Sequence, residues 1–426
     1  AWKILGLYSK SSLLRLLGCG LFLFFPPMLW RINTPAGGHS ALVGQFLILW
    51  ALYLILRSTQ HKRTILWVSL LSISVLTHFY LFAIVSLLWI ADLANHRFIQ
   101  RDISTKHALQ EILLAFICTL FLAWQAGYFA VSASSANEFG FGLYRMNLLS
   151  IFNPRNNYAD SNWSYLLPAL PEPSSLYLSS NTRLSEGSHE GFNYLGLGVI
   201  GLIPFAVFGA VKQFSFCKRQ LSEHFFLFAC LLMLWIFALS NNVSIGALNF
   251  HYEIPAQLMP LLSIFRCSGR MFWPVFYSII FIQIVIVVRA YPAKIARLIL
   301  GICCLMQLVD TSAGWMALET RLQQNSKITP TNLFINPFWS SAAKHYRSIR
   351  VEPLVNGQFQ ARWEHLAPFA AKNHLGTNAV YLARIDQTKL NNANSAFETH
   401  LLTGELNQRS LYVLDDSKIL PVLLNV

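Results

Sequence analysis

The chain has 426 residues, 54% of them hydrophobic and 14% aromatic, with only 12% charged, and its mean hydropathy is +0.45. That excess excludes an ordinary soluble domain and describes an integral membrane protein. The net charge of +13 does not describe a nucleic-acid binder, because the lysines and arginines are dispersed in twos and threes between apolar segments, with no basic stripe and no RNA- or DNA-binding motif.

Read in chain order, the apolar segments predict nine membrane helices, near residues 11–29, 41–57, 64–79, 80–95, 110–132, 193–212, 224–241, 271–289 and 294–310. Each approaches the roughly 20 residues that a bilayer requires. The third and fourth come from one run, TILWVSLLSISVLTHFYLFAIVSLLWIADLA, too long for one comfortable helix and polar at THFY. A tight turn at Thr77 to Tyr80 makes it a hairpin. The seven cysteines lie nearly all in or at the ends of apolar spans, without CxxC or His/Cys metal spacing, so neither a disulfide framework nor a structural zinc is expected. The first residue is Ala1 rather than Met, and no short apolar core with a small-residue cleavage site follows it, so no signal peptide is read.

Basic residues in short loops are retained in the cytoplasm. Lys3, Lys10 and Arg15, then Arg57, Lys62 and Arg63, then Arg97, Arg101 and Lys106, then Lys212, Lys218 and Arg219, then Arg289, Lys294 and Arg297 occupy every second connector. The alternate connectors, 30–40, the THFY turn, 133–192 and 242–270, are rich in Asn, Ser, Pro and aromatics, and are expected on the outer face of the membrane. The tail, 311–426, follows them outward as a small soluble α/β domain behind the membrane domain of 1–310. Asn336 before Pro337 starts a helix, β-like runs stand at IRVEP, NAVYLARI and SLYVLDD, and helical runs at ARWEHLAPFAAKNH and SAFETHLLTG.

The outer connectors hold the candidate chemistry. Arg266 and Arg270 lie four residues apart on the side where the orientation bias disfavours arginine. On a helix they share one face and suit a phosphate held at the membrane surface, a candidate lipid-phosphate site; the plainer reading has both snorkelling to headgroups beside Trp273. In SEGSHEGFNYLGLG, Glu186 reads as a helix-start carboxylate, whereas for Glu190, beside His189, that plain reading stands about level with a functional one, a general base or a divalent-cation ligand. Asn193 and Tyr194 enter the following span. His78 and Tyr80 in the hairpin turn, His39 in the first outer connector and His251 in NFHYEIPAQLMPLL face the same surface, the last in an expected broken or re-entrant helix. With Asp92 and Asp310 at span ends and no carboxylate read at mid-depth, a coupled transporter is disfavoured.

The pieces LYRMNLLSIFNPR, HEGFNYLGLGVIGL, FRCSGRMFWPVFY, NAVYLARID and LYVLDD resemble domain-of-unknown-function family 6311, a family of bacterial multi-spanning membrane proteins, over nearly the whole chain. That family is itself similar to the GT-C glycosyltransferases. The resemblance implies an all-α polytopic bundle, a polyprenyl-phosphate-linked sugar and a cell-envelope acceptor as partners together with membrane lipids, and room for a divalent cation. On it, Arg266 and Arg270 stabilise the departing lipid phosphate, and His78, Tyr80, Glu190, Asn193, Tyr194 and His251 line the cavity. The first outer connector, RINTPAGGHS, lacks the acidic residue such enzymes place in their first outer loop, so an N-terminal hairpin is expected to be missing and no catalytic acid is carried over. A non-catalytic lipid-binding or envelope-assembly protein, or a transporter, is the alternative.

Overall fold

The computed structural model describes the chain except for residues 33–38, 58–60, 131–139, 157–160, 174–176, 180–181, 328–333, 353, 355–362, 381–386, 415 and 426. Helices dominate: α1 Trp2–Gly6, α2 Ser12–Leu23, α3 Pro26–Leu29, α4 Phe46–Leu56, α5 Arg63–Thr77, α6 Phe79–Ala94, α7 Thr105–Gln125, α8 Leu197–Lys212, α9 Phe214–Glu223, α10 Phe225–Leu239, α11 Met259–Ser263, α12 Trp273–Ala290 and α13 Ala293–Lys327. Among the described residues four helical stretches are long and apolar enough to cross a membrane, and up to six if each bent pair counts as one span. Each of the nine segments expected as a span contains a helix, but α4, α5 and α10 have only 10–17 residues in their apolar stretches.

The expected hairpin forms. His78 alone separates α5 from α6, and its Nδ1 accepts the Tyr80 N–H at 3.1 Å as the cap of α6. The last apolar segment exceeds the expectation: α13 continues past residue 310 as one helix to Lys327. α12 sits at the core, with Phe276, Tyr277, Ile280, Ile284 and Val287 all at or below 1% exposure. A helix buried on all sides is apolar all round, as its sequence is. Small residues let neighbours close on each other: a Cβ at Gly198 would lie 2.0 Å from the Cys303 carbonyl of α13.

The two sets of connectors gather at opposite ends. Arg63, at the start of α5, pairs with Asp92 near the end of α6 and with Glu111 near the start of α7. The Asn95 side chain bonds the Glu223 carbonyl, and Gln213 donates to the Arg289 carbonyl. The alternate connectors meet at the other ends of these helices. They carry three antiparallel ribbons: β1 Arg155–Asn156 with β2 Ser161–Asn162, β3 Tyr177–Ser179 with β4 Thr182–Arg183, and β5 Asn242–Ile245 with β6 Leu248–His251. The segment expected as a re-entrant helix therefore begins as a strand. Gly246 takes φ +59° at the turn, and helix follows only as a single 3₁₀ turn at Ala256–Leu258 and as α11, where Leu261 is 64% exposed.

The chain divides into two compact units, Ala1–Tyr128 with Glu138–Ser326, and Phe129–Asn137 with Lys327–Val426. The second has α14 Pro337–His345, β7 Ser348–Glu352, α15 Trp363–Lys372, β8 Gly376–Thr377, α16 Gln387–Thr403, β9 Ser410–Leu414 and α17 Asp416–Asn425. The sheet is parallel in the order β8-β7-β9. Asn336 caps α14 by accepting the Phe338 N–H at 2.9 Å, as its sequence predicts. The expected strand over NAVYLARI is not formed at residues 378–380, where the Asn378 side chain bonds the Val351 backbone instead; its remainder, from Tyr381 through Ile385, lies outside the described residues.

Candidate anion site at the converging loops

Two 3₁₀ helices, Leu184–Gly191 before α8 and Ser268–Phe272 before α12, cross back to back. A Cβ at Gly269 would lie 2.7 Å from the Gly191 Cα and 3.0 Å from the Glu190 carbonyl, so only glycine permits the approach. The crossing sets the side chains of Glu190 and Arg270 against each other. Arg270 donates from Nε to Oε2 at 2.7 Å and from Nη2 to Oε1 at 2.6 Å, a bidentate pair. Arg31, in the 3₁₀ turn Trp30–Ile32 after α3, adds a third donor, Nη2 to Oε2 at 2.6 Å.

All three residues are buried, at 1%, 5% and 6% exposure for Arg31, Glu190 and Arg270. Burial pushes the Glu190 carboxyl up, but the Arg270 and Arg31 charges and hydrogen bonds outweigh it and hold the group well below the usual carboxylate range. The two guanidinium groups thus favour the ionised carboxylate, and both its oxygens accept N–H donors. Glu190 therefore organises the arginines and does not serve as a base.

Arg31 is the member with capacity to spare. Its Nε and Nη1 are buried and have no hydrogen-bond acceptor among the described residues. The guanidinium lies 4.0 Å from the ring centroid of Trp30 and 5.7 Å from that of Trp273, which fixes its plane. Arg270 packs its guanidinium 4.7 Å from the Tyr80 ring, and the Tyr80 hydroxyl accepts the Cys267 N–H at 2.9 Å.

Histidines surround the pair. His189 bonds the Glu186 carbonyl through Nδ1 at 2.9 Å, and its Nε2 is 3.9 Å from Glu190 Oε1. Burial lowers the His189 pKa despite the opposing charge of Glu190. His78 is pushed down to about 4 by burial first and then by Arg270. His39 lies within electrostatic reach of Glu190, Arg31 and Arg270. Arg266, half-buried against the Gly140 turn, has no carboxylate within 4.0 Å among the described residues. With His78 and His189 neutral, Arg31 and Arg270 against Glu190 leave one positive charge in excess. An enclosed surplus of that sign is matched by an anion.

The structure thus brings together Arg270, Glu190, His78 and Tyr80 of the residues singled out from sequence. It separates Arg266 from Arg270: Cys267, at φ −85° and ψ 65°, breaks the helical path, so the two share no helix face, and Arg270 is paired inward instead of snorkelling to headgroups. Tyr194 turns away and donates to Asp310 Oδ2 at 2.6 Å, where Asp310 also accepts the Leu197 N–H at 3.1 Å and the Ser164 hydroxyl. Asn193 bonds the Gly191 carbonyl at 3.0 Å, and His251 pairs with Asn242 at 2.8 Å on the β5–β6 ribbon. Arg31 was missed. Its signal was the one applied to Arg266 and Arg270, a lone arginine in a connector where basic residues are disfavoured.

Comparison with known families places the chain. The family described as domain of unknown function DUF6311 matches residues 1–312, and the DUF6311 C-terminal domain matches residues 338–425. The chain belongs to this family. No curated protein and no solved structure matches it.

Proposed function

We propose that this member of the DUF6311 family binds the phosphate of a membrane lipid between Arg31 and Arg270, and uses it as a transferase that moves a sugar from a polyprenyl-phosphate carrier to a cell-envelope acceptor. The observation that carries the reading is Arg31, buried, fixed between two tryptophans and holding two donor nitrogens with no acceptor among the described residues. A guanidinium in that state matches a phosphate oxygen, and the one excess positive charge of Arg31, Arg270 and Glu190 matches the single charge of a sugar–phosphate–lipid diester. In the transfer, the anomeric C–O bond to the lipid phosphate breaks as a C–O bond to the acceptor forms. The electron pair leaves with the phosphate, whose charge Arg31 and Arg270 take up. Neutral His189 is the group in the cluster suited to take the acceptor proton. On this reading nine helices cross a bacterial cytoplasmic membrane, with the converging loops and the C-terminal unit on its outer side.

One observation favours a second reading, a non-catalytic lipid-binding or envelope-assembly protein. Both oxygens of Glu190 are saturated by three N–H donors, so the cluster offers no carboxylate base. The experiment that separates the readings reconstitutes the protein in vesicles with a radiolabelled polyprenyl-phosphate sugar. Transfer requires consumption of the donor, with a drop of about 100-fold in Arg31→Lys, since an ammonium loses the planar donors aimed at the departing oxygen. Retention of polyprenyl phosphate without consumption, weakened by the same substitution, supports the binding protein and sinks the transferase.

A further inference from the structure

At the opposite ends of α8 and α12 from Arg31, a second cavity of about 370 Å³ opens between α4, α8, α10 and α12, walled by residues such as Leu52, Phe228, Leu231, Phe281 and Val285. It is at the small end of the range for ligand pockets, about 300–1,000 Å³. Its roof is α9, which turns 90° from α8 at Gln213 and has no buried residue of its own. Phe216, Cys217, Gln220 and Leu221 of α9 face the cavity, while Lys218 and Arg219 take other positions around the helix. A short helix lying across the bundle with one apolar and one basic side is suited to the membrane–water boundary.

One cation stands at the cavity wall: the Arg289 guanidinium sits 4.1 Å from the ring centroid of Phe216, which lines it. It has no carboxylate within 4.0 Å among the described residues; Glu223, the acid on α9, is 3.7 Å from Arg219. A dry cavity under an interfacial helix, with uncompensated positive charge at its opening, has the chemistry of an amphiphile turned inside out. We infer that this cavity holds an acyl chain of an anionic glycerophospholipid, with its phosphate headgroup on Arg289. Basic openings between membrane helices are a recurrent way of recognising such headgroups. The inference is independent of the chemistry at Arg31.

The test uses the full chain in detergent with added phosphatidylglycerol or phosphatidylcholine of equal chain length. Native mass spectrometry should show one phosphatidylglycerol retained at least 10-fold more strongly than phosphatidylcholine. Substituting Arg289→Gln should erase the preference, and Ala210→Trp, which fills the cavity from α8, should lose the lipid with Arg289 in place. A measurement on the unaltered protein guards against misfolded variants: the reaction of Cys217 with maleimide, followed by peptide mass spectrometry, should slow at least 5-fold with phosphatidylglycerol and stay unchanged with phosphatidylcholine, while Cys118 on α7 is unaffected by either. Equal retention of the two lipids, or equal protection of Cys217 by both, overturns the proposal and leaves only a general lipid annulus.

Discussion

At the scale of single residues, Glu190 is the counter-ion on which two buried guanidinium groups depend. Glu190→Gln leaves Arg31 and Arg270 facing each other without compensation, at a cost of about 3–5 kcal/mol, read as a fall in the thermal midpoint of the protein in detergent. Arg31→Met should cost less, because Arg270 keeps its bidentate pair; an equal or larger loss would show that Arg31 and not Glu190 organises the centre. Glu352, at the end of β7, behaves in the opposite way. It is 5% exposed, its Oε2 has no partner among the described residues, and burial pushes its carboxyl up to about 7 against the weaker pull of Arg350. The folded unit therefore holds a proton that the unfolded chain releases near 4.5. Stability from this group is full below that value and declines as pH rises toward 7, by about 1.4 kcal/mol per pH unit. Protease protection of the C-terminal unit, followed against pH in the full chain, should decline across this window and flatten in Glu352→Gln. A slope that survives the substitution would assign it to another group.

At the scale of elements, buried polar residues tie the helices at both ends. Arg63 donates to both oxygens of Glu111 at 2.5 Å and to Asp92 at 2.7 Å, and the indole N–H groups of Trp67 and Trp89 complete the two carboxylates at 2.9 and 2.8 Å. This joins α5, α6 and α7 at one end. Arg63→Leu strands two buried carboxylates and should destabilise by about 3–5 kcal/mol, seen as early melting of helical circular dichroism. At the other end, Asp310 of α13 receives the Tyr194 hydroxyl and the first N–H of α8. Tyr194→Phe removes a hydrogen bond to a charged group, worth about 1.5–3 kcal/mol. It should leave lipid-phosphate binding at Arg31 unchanged, because Tyr194 does not face that centre; loss of binding without loss of stability would return Tyr194 to the cavity.

At the scale of the whole molecule, the alternation of basic and neutral connectors makes a prediction about sidedness. Arg101 lies in a basic connector, and Tyr165, 64% exposed, lies in the loop whose Ser164 reaches Asp310. In sealed right-side-out vesicles, a membrane-impermeant maleimide should label Tyr165→Cys and not Arg101→Cys. Labelling of both from one side would break the serpentine path.

Much of this was readable before any coordinates. Mean hydropathy and the position of the basic residues determined a polytopic membrane chain, the hairpin at THFY and the cap at Asn336, because bilayer thickness, charge retention and helix capping act on short stretches of sequence. The family was legible in the same way, from local motifs. The centre itself was not. Arg31, Glu190 and Arg270 are 159 and 80 residues apart along the chain, and only the crossing of two 3₁₀ helices at Gly191 and Gly269 makes them one ion-pair network. The tertiary structure also decided that Glu190 is an ionised counter-ion and Tyr194 a helix anchor. Each residue's state is set by desolvation and by partners brought in from distant segments, and neither quantity exists until the chain has folded.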